Sequence, residues 1–469
     1  RDVAVTGVQT CALPIFEDMR TSMDMLNGSL WDKIFKFSMP VAATAILEQF
    51  FTATDVVIAG NFANSDRTAA MAAVGTDLPI IGMIIFLFLG LALGSNVVIA
   101  QSIGRRDTEG VKKAVHTAVL LSLIIGIAVA VFAQFAVVPI LGLLEIPAEV
   151  LPSAVMYLRI YFLGMPIILL YNFEAAIFRS IGETQKPLMA LIAASLVNIV
   201  LDLFFVCVCK LDVAGVAIAT VLANAVSALI LLRLLLKTDS IIKLEWSRLH
   251  IDMPILKEIV RIGLPAGIQG AVFSLANVVI QGAINSLGTE VIAASSASLI
   301  LEMVAFSIFS SFTQACTTFV GQNYGARQMA RCRKILRLCL LEDVICTGIC
   351  MLIVFLFGDR LIALINDDSE VIRLGYIRAS IVFCAYIFSL SYDVMSGYLR
   401  GFGISFLPSL LTILGICGVR FLWVAFVFPV YHDFRTLMYV YPVSMGVTAV
   451  LIFAALMWCR PSKRFAKII

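Results

Sequence analysis

The chain has 469 residues, of which 61 % are hydrophobic and only 14 % charged, and its formal net charge is +3. A soluble domain carries about 25 % charged residues and about half apolar ones, so this composition describes a polytopic membrane protein and leaves no room for a long soluble domain. So small a net charge gives no support to nucleic-acid binding.

Residues 1–16, RDVAVTGVQTCALPIF, fit nothing that follows. Their apolar run is too short for a signal peptide and no cleavage-like context follows. They read as a non-native leader, the conceptual translation of a sequencing-adapter read fused to the gene. On that reading Cys11 is not native, and the native start is expected near Met19, Met23 or Met25. Residues 30–36 read as a short amphipathic lead-in on the membrane surface, with Trp31 at the interface.

A spanning helix needs ~20 apolar residues, and twelve such stretches follow. The first six are expected at about 37–60, 72–103, 114–141, 148–181, 188–208 and 213–236. The second six are expected at about 259–287, 291–322, 335–357, 371–399, 406–430 and 437–459. The loop 61–67 is polar, Ile146-Pro147 breaks the chain after span 3, and Gly164 with Pro166 should kink span 4. Span 6 is rich in Ala, Gly and Ser, which suits close helix packing. The one long polar connection, residues 237–257, separates an amino-terminal lobe, 30–236, from a carboxy-terminal lobe, 258–460.

Positive charge alternates from loop to loop. Arg105, Arg106, Lys112 and Lys113 follow span 2, Arg179 and Lys186 lie between spans 4 and 5, and six basic residues flank the central linker. Arg327, Arg331, Arg333, Lys334 and Arg337 follow span 8, Arg400 follows span 10, and Arg460, Lys463, Arg464 and Lys467 close the chain. The alternate loops carry only Arg67, Lys210, Arg360 and Arg435. Basic loops stay on the cytoplasmic side, so an even number of spans and two cytoplasmic termini are expected, in a bacterial inner membrane.

The halves repeat. Gln101-Ser102-Ile103-Gly104-Arg105-Arg106 recurs as Gln322-Asn323-Tyr324-Gly325-Ala326-Arg327, and Phe178-Arg179-Ser180-Ile181-Gly182 recurs as Leu399-Arg400-Gly401-Phe402-Gly403. Lys113 and Lys334, and Pro187 and Pro408, keep the same spacing of 221 residues (322 − 101; 400 − 179; 408 − 187). Ser38-Met39-Pro40 answers Gly263-Leu264-Pro265 at a slightly larger spacing. Two six-span halves of one orientation are parallel repeats, with the binding cavity expected between them.

The cysteines carry little. Cys207 with Cys209, and Cys346 with Cys350, lie in apolar stretches without zinc-like neighbours and read as buried, reduced thiols. His116, His250 and His432 read as surface histidines. No metal site and no cofactor are expected. Neither a Gly-x-x-x-x-Gly-Lys loop nor a hydrolase motif occurs.

Polar groups inside the spans carry the functional signal. Asn198 and Asp202 stand four residues apart in span 5, on one helical face. Asp55 interrupts the apolar run of span 1. A carboxylate at the centre of a spanning helix costs ~2.5–3.5 kcal/mol on insertion scales, so it faces a partner, a cavity or a moving ion. Asp55, Asn198 and Asp202 are therefore expected to converge on a proton or Na⁺ site; the bland alternative is a polar cluster that only glues helices. Glu48, two turns before Asp55, and Glu174 in span 4 are candidate cavity residues. In the second half, Glu302 either pairs with Arg420 or meets a cationic substrate, while Arg420 reads as structural; Asn277 and Asp393 are weaker candidates. Phe50, Phe51, Tyr171 and Phe173 could stack on a flat cation, but most Phe in such chains face lipid.

The chain resembles the multidrug and toxic compound extrusion family of cation-coupled transporters. The resemblance rests on Thr54-Asp55-Val56-Val57-Ile58-Ala59-Gly60, Ala72-Ala73-Val74-Gly75, the two Gln-x-x-Gly turns, and Phe178-Arg179-Ser180-Ile181-Gly182-Glu183-Thr184. Asn198-Ile199-Val200-Leu201-Asp202, Gly215-Val216-Ala217-Ile218-Ala219-Thr220 and Phe319-Val320-Gly321-Gln322 complete it. It covers about residues 34–458 and looks closest to the bacterial branch whose amino-terminal lobe holds the coupling acids. It implies an all-α fold of twelve transmembrane helices, two six-helix repeats in a V. It also implies a secondary antiporter, not an enzyme, that exports lipophilic or cationic small molecules for H⁺ or Na⁺ and functions as a monomer. Asp55 and Asp202 match the family's coupling carboxylates and Asn198 its partner amide. The rivals are a lipid-linked precursor flippase of related architecture and an integral-membrane enzyme.

Overall fold

In hydrocarbon every backbone N–H and C=O must be satisfied internally, which leaves helices or a closed barrel. The computed structural model describes residues 23–62, 67–143 and 149–464, and among them no residue is in a strand. The leader, Met19, the centre of the loop at 63–66, the Ile146-Pro147 break and Lys467 lie outside the described residues.

The first half contains α1 (Trp31–Phe62), α2 (Arg67–Gly104), α3 (Thr108–Leu143), α4 (Leu151–Leu163), α5 (Met165–Ser180), α6 (Gln185–Leu203) and α7 (Asp212–Lys237). The second contains α8 (Met253–Asn285), α9 (Thr289–Gly325), α10 (Met329–Ala363), α11 (Ser369–Gly401), α12 (Phe406–Tyr431) and α13 (Val440–Cys459). Eleven of the described helical stretches are long and apolar enough to span a membrane alone. The pair α4–α5, bent by 50° at Gly164, makes the twelfth. The kink falls where it was expected: Pro166 has no N–H and cannot carry the helix through.

The helices outrun the expected spans at their polar ends. Hydropathy marks only the hydrocarbon part, whereas α10 starts at Met329 and carries Arg331, Arg333 and Lys334 in its opening turns. The lead-in at residues 30–36 is not a separate surface helix, because α1 runs unbroken from Trp31.

The repeat is written into the backbone. Arg106 and Arg327 both take positive φ, 58° and 61°, and so do Gly182 and Gly403, at 87° and 81°. Each is a left-handed residue just past a helix end, the place where such a conformation closes a helix.

The halves meet along α2 and α8, while α9 lies against both α1 and α2. Gly90-x-x-x-Gly94 on α2 faces Gly263-x-x-x-Gly267 on α8 so closely that a methyl on Gly90 would overlap the Gly267 backbone. Small residues are what allow such approach between helices in lipid. Gly267→Leu is expected to cost at least the ~1–3 kcal/mol of an overpacked core and to drive the two halves apart, read as lost thermal stability and a broadened size-exclusion peak in detergent. A variant as stable and monodisperse as the parent would show that the contact is loose.

The start of the first lobe reaches across to the second. Met25, Ile34, Phe37 and Val41 are buried with Phe312, Phe319 and Cys332 of the second half, so the start of α1 packs on the far lobe. Asn323 and Arg331 hold that segment by donating to the Met25 carbonyl, at 3.1 and 3.3 Å.

The linker docks on the first half. His116 is buried, at 1 % exposure, and so is not the surface histidine expected; His250 and His432 are exposed. Its Nδ1 lies 2.6 Å from the Lys112 carbonyl and its Nε2 accepts from the Glu245 N–H at 3.1 Å. Lys113 pairs with Asp252 at 3.2 Å. The Ile255 N–H and then Lys113 hold the Asp252 carboxyl below its ordinary range. The described cysteines are free thiols, but Cys207 and Cys209 are exposed rather than buried.

Candidate functional site

In α6, Pro187, Leu191, Ser195, Asn198 and Asp202 share the buried face, while Leu196 and Val200 point outward at 63 and 66 % exposure. Helical periodicity puts both polar residues on that inner stripe. Two residues past Asp202 the helix widens into a π turn, Phe204–Val208; such single π turns recur at functional positions. α1 buries Phe51, Asp55, Ile58 and Ala59 along one stripe, which brings Asp55 against α6 and α7.

Asp55, Asn198 and Asp202 do come together. They are 2, 1 and 0 % exposed and act directly on one another. The Thr220 hydroxyl of α7 lies 2.7 Å from Asp55 Oδ2 and 3.0 Å from the Val216 carbonyl. Apart from one another, Asp55 Oδ1, both Asp202 oxygens and both Asn198 amide atoms have no hydrogen-bond partner. Buried polar atoms are almost always paired; here two carboxyls and an amide face one another with little else to bond, an arrangement whose chemistry suits protons or a cation taking hard oxygen ligands.

Thr220 was not singled out from sequence as a site residue, because nothing in spacing ties it to Asp55, 165 residues away. Asp77 of α2 was missed although its signal is the same as that of Asp55, an acid within an apolar run. It is 0 % exposed, both its oxygens are unpaired, and it lies near the Tyr157 ring together with Asp55 and Asp202. Glu48 and Glu174 are not among the partners of Asp55 or Asp202; with Arg179 they act on Tyr171, and Glu48 also acts on Tyr161 as Asp55 does. Glu174 is wholly buried and unpaired. Glu48 is exposed on α1. Tyr171 and Phe173 are buried in the packing, whereas Phe50 is 60 % exposed.

The second half departs further from expectation. Glu302 does not pair with Arg420. It takes a two-pronged bond from Arg378, at 2.7 and 3.0 Å, and a third from Ser298 at 3.0 Å. Arg420 donates to Asn277 at 2.7 Å and stands over the rings of Phe273 and Tyr441, at 5.2 and 4.7 Å. Asp393 lies near Arg400 and near Asp343 of α10. Asp343 and its neighbour Glu342 are buried acids the sequence reading passed over. Two arginines counted as loop charges lie within helices: Arg400 is 7 % exposed and donates to Gln269 at 2.7 Å, and Arg179 donates to Gln314 at 3.2 Å.

Twelve apolar spans in two repeated halves, with a buried acid site in the first, define a two-lobed multi-pass membrane protein of transporter architecture. The chain belongs to the MatE family, whose model matches residues 40–204 and 265–425, one stretch in each half. It is 25 % identical over 466 residues to the probable multidrug resistance protein YoeA of Bacillus subtilis, covering 96 % of this chain and 100 % of the relative. It is 24 % identical to the probable multidrug resistance protein NorM of Thermotoga maritima, over 86 % of each chain. An outward-facing multidrug resistance MATE family transporter of the MOP superfamily shares the fold with a TM-score of 0.85 at 22 % identity, covering 94 % of this chain and 98 % of that one. The twelve-helix, V-shaped fold expected from sequence is thus the fold found.

Proposed function

We propose that the chain is a secondary antiporter of the bacterial inner membrane, with both termini cytoplasmic, that exports lipophilic and often cationic small molecules in exchange for H⁺ or Na⁺. The observation that carries this is the burial together of two carboxyls and an amide, Asp55, Asp202 and Asn198, partnered only by one another and by Thr220. Two carboxylates in one low-dielectric site cannot both stay ionised at low cost, so the site binds a proton or a cation when one is supplied. Thr220 steadies one oxygen of Asp55 and leaves the other for the guest. Loading cancels one negative charge of the pair, and that change in charge biases which side of the V is open. The printed names of the relatives, multidrug resistance and multidrug export proteins, support drugs as the cargo. One charge crossing 100 mV supplies ~2.3 kcal/mol, which sustains roughly a 50-fold gradient without any nucleotide.

Ethidium efflux from proteoliposomes, driven first by a pH gradient alone and then by a sodium gradient alone, tests the reading and identifies the ion. Efflux under neither would overturn it. A periplasm-active reporter fused after Ile469 should stay silent; activity there would reverse the orientation.

A further inference from the structure

The two Gln-x-x-Gly turns take no part in ion coupling, yet they meet at the junction of the halves. Gln101, near the end of α2, donates through Nε2 to the Gly401 carbonyl at the end of α11, at 2.9 Å. Gln322, near the end of α9, donates through Nε2 to the Ser180 carbonyl at the end of α5, at 2.7 Å. Each bond crosses from one half to the other. The repeat exchanges them, since Gln101 with Gln322 and Ser180 with Gly401 keep the common spacing of 221 residues (322 − 101; 401 − 180).

The accepting groups explain why an amide is needed. Ser180 and Gly401 are the last residues of their helices, so their carbonyls have no partner within the helix. Each glutamine caps a helix end of the opposite half. Both glutamines are buried, at 7 and 4 % exposure, so neither bond is shared with bulk water. The glycine three residues on makes the reach possible: a methyl on Gly104 would overlap the Gln322 carbonyl, and one on Gly325 would overlap the Gln101 carbonyl. Of the neighbouring bonds, one more crosses, Thr318 donating to Asn96 Oδ1 at 2.9 Å, and two lie within the halves. Asn96 donates to the Ala176 carbonyl at 3.0 Å in the first half, and Thr317 to the Gly397 carbonyl at 3.1 Å in the second, again repeat mates.

We propose that Gln101 and Gln322 form a reciprocal clasp that closes the molecule at the end where α1 begins and α13 ends, and that breaking these two bonds sets how often that end opens. They are positioning residues: they touch neither ion nor cargo. Their role in transport rests on the antiport reading above, but the clasp itself does not.

The test uses Gln101→Met, Gln322→Met and the double variant, which keep side-chain length and remove the donor. Spin labels at Glu109 on α3 and Arg333 on α10 report the separation of the halves in nanodiscs, with neither substrate nor gradient present. A net hydrogen bond of ordinary strength predicts that the long-distance population rises about five-fold with each single change and about twenty-five-fold with both. Gln101→Leu and Gln322→Leu also lack the donor and should move the distances the same way, so the clasp remains testable if a methionine variant misfolds. A parental distance distribution in the double variant, or lower thermal stability with no change in distances, would overturn the clasp. Failure here leaves the transport reading standing, whereas shifted distances in a protein that exports nothing would sink that reading alone.

Discussion

Asp202→Asn is expected to abolish gradient-driven uphill efflux while leaving insertion, folding and some substrate binding intact. The substitution keeps shape and hydrogen-bonding capacity and removes only the titratable charge. Asp202 is completely buried and its only polar neighbours are Asp55 and Asn198, to which an amide can still hydrogen-bond. What it removes is the second negative charge beside Asp55, and with it the reason to take up a proton or Na⁺. The accumulation ratio should fall from the roughly 50-fold that 100 mV sustains for one charge to about unity. Asn198→Ala should weaken coupling less, since it deletes a neutral ligand. Efflux into Asp202→Asn vesicles at parental rates, under the same gradient and at equal protein level, would reduce the whole group to helix glue.

Arg378→Met is expected to destabilise the protein by ~3–5 kcal/mol, the cost of leaving one member of a buried pair uncompensated. Arg378 and Glu302 are 3 and 5 % exposed and joined by two hydrogen bonds. Without the guanidinium, the Glu302 carboxylate keeps only the Ser298 hydroxyl and must be neutralised. The double variant Glu302→Gln/Arg378→Met should recover most of the loss, because removing both charges removes their desolvation. Thermal unfolding in one detergent, followed by size exclusion, compares the three proteins. A double variant no better than Arg378→Met would show that the guanidinium matters through packing against Tyr441, 5.7 Å away, and not through its charge.

Glu302 shows where reading along the chain fails. Both arginines are visible in the sequence, Arg378 in span 10 and Arg420 in span 11, and hydropathy cannot rank them as partners. His116 fails for a related reason: it stands at a segment end, where solvent is the default, and is covered only because the linker folds back over α3. Asp77 was legible in the sequence, since it shows the same signal as Asp55, an acid inside an apolar run.

The spans, the duplication, the kink at Gly164 and the pairing of Asn198 with Asp202 on one face were determined by the sequence itself. These depend on residue type and on spacings of a few residues, and the hydrocarbon environment enforces them helix by helix. The tertiary structure alone decided which groups meet across the bundle: Thr220 with Asp55, Arg378 with Glu302, and Gln101 with Gly401, 300 residues away. Such contacts depend on how close two helices can come, and here glycines such as Gly90, Gly104 and Gly267 set that distance. A side chain finds its partner only once the backbones have packed, and no local pattern in the chain encodes that geometry.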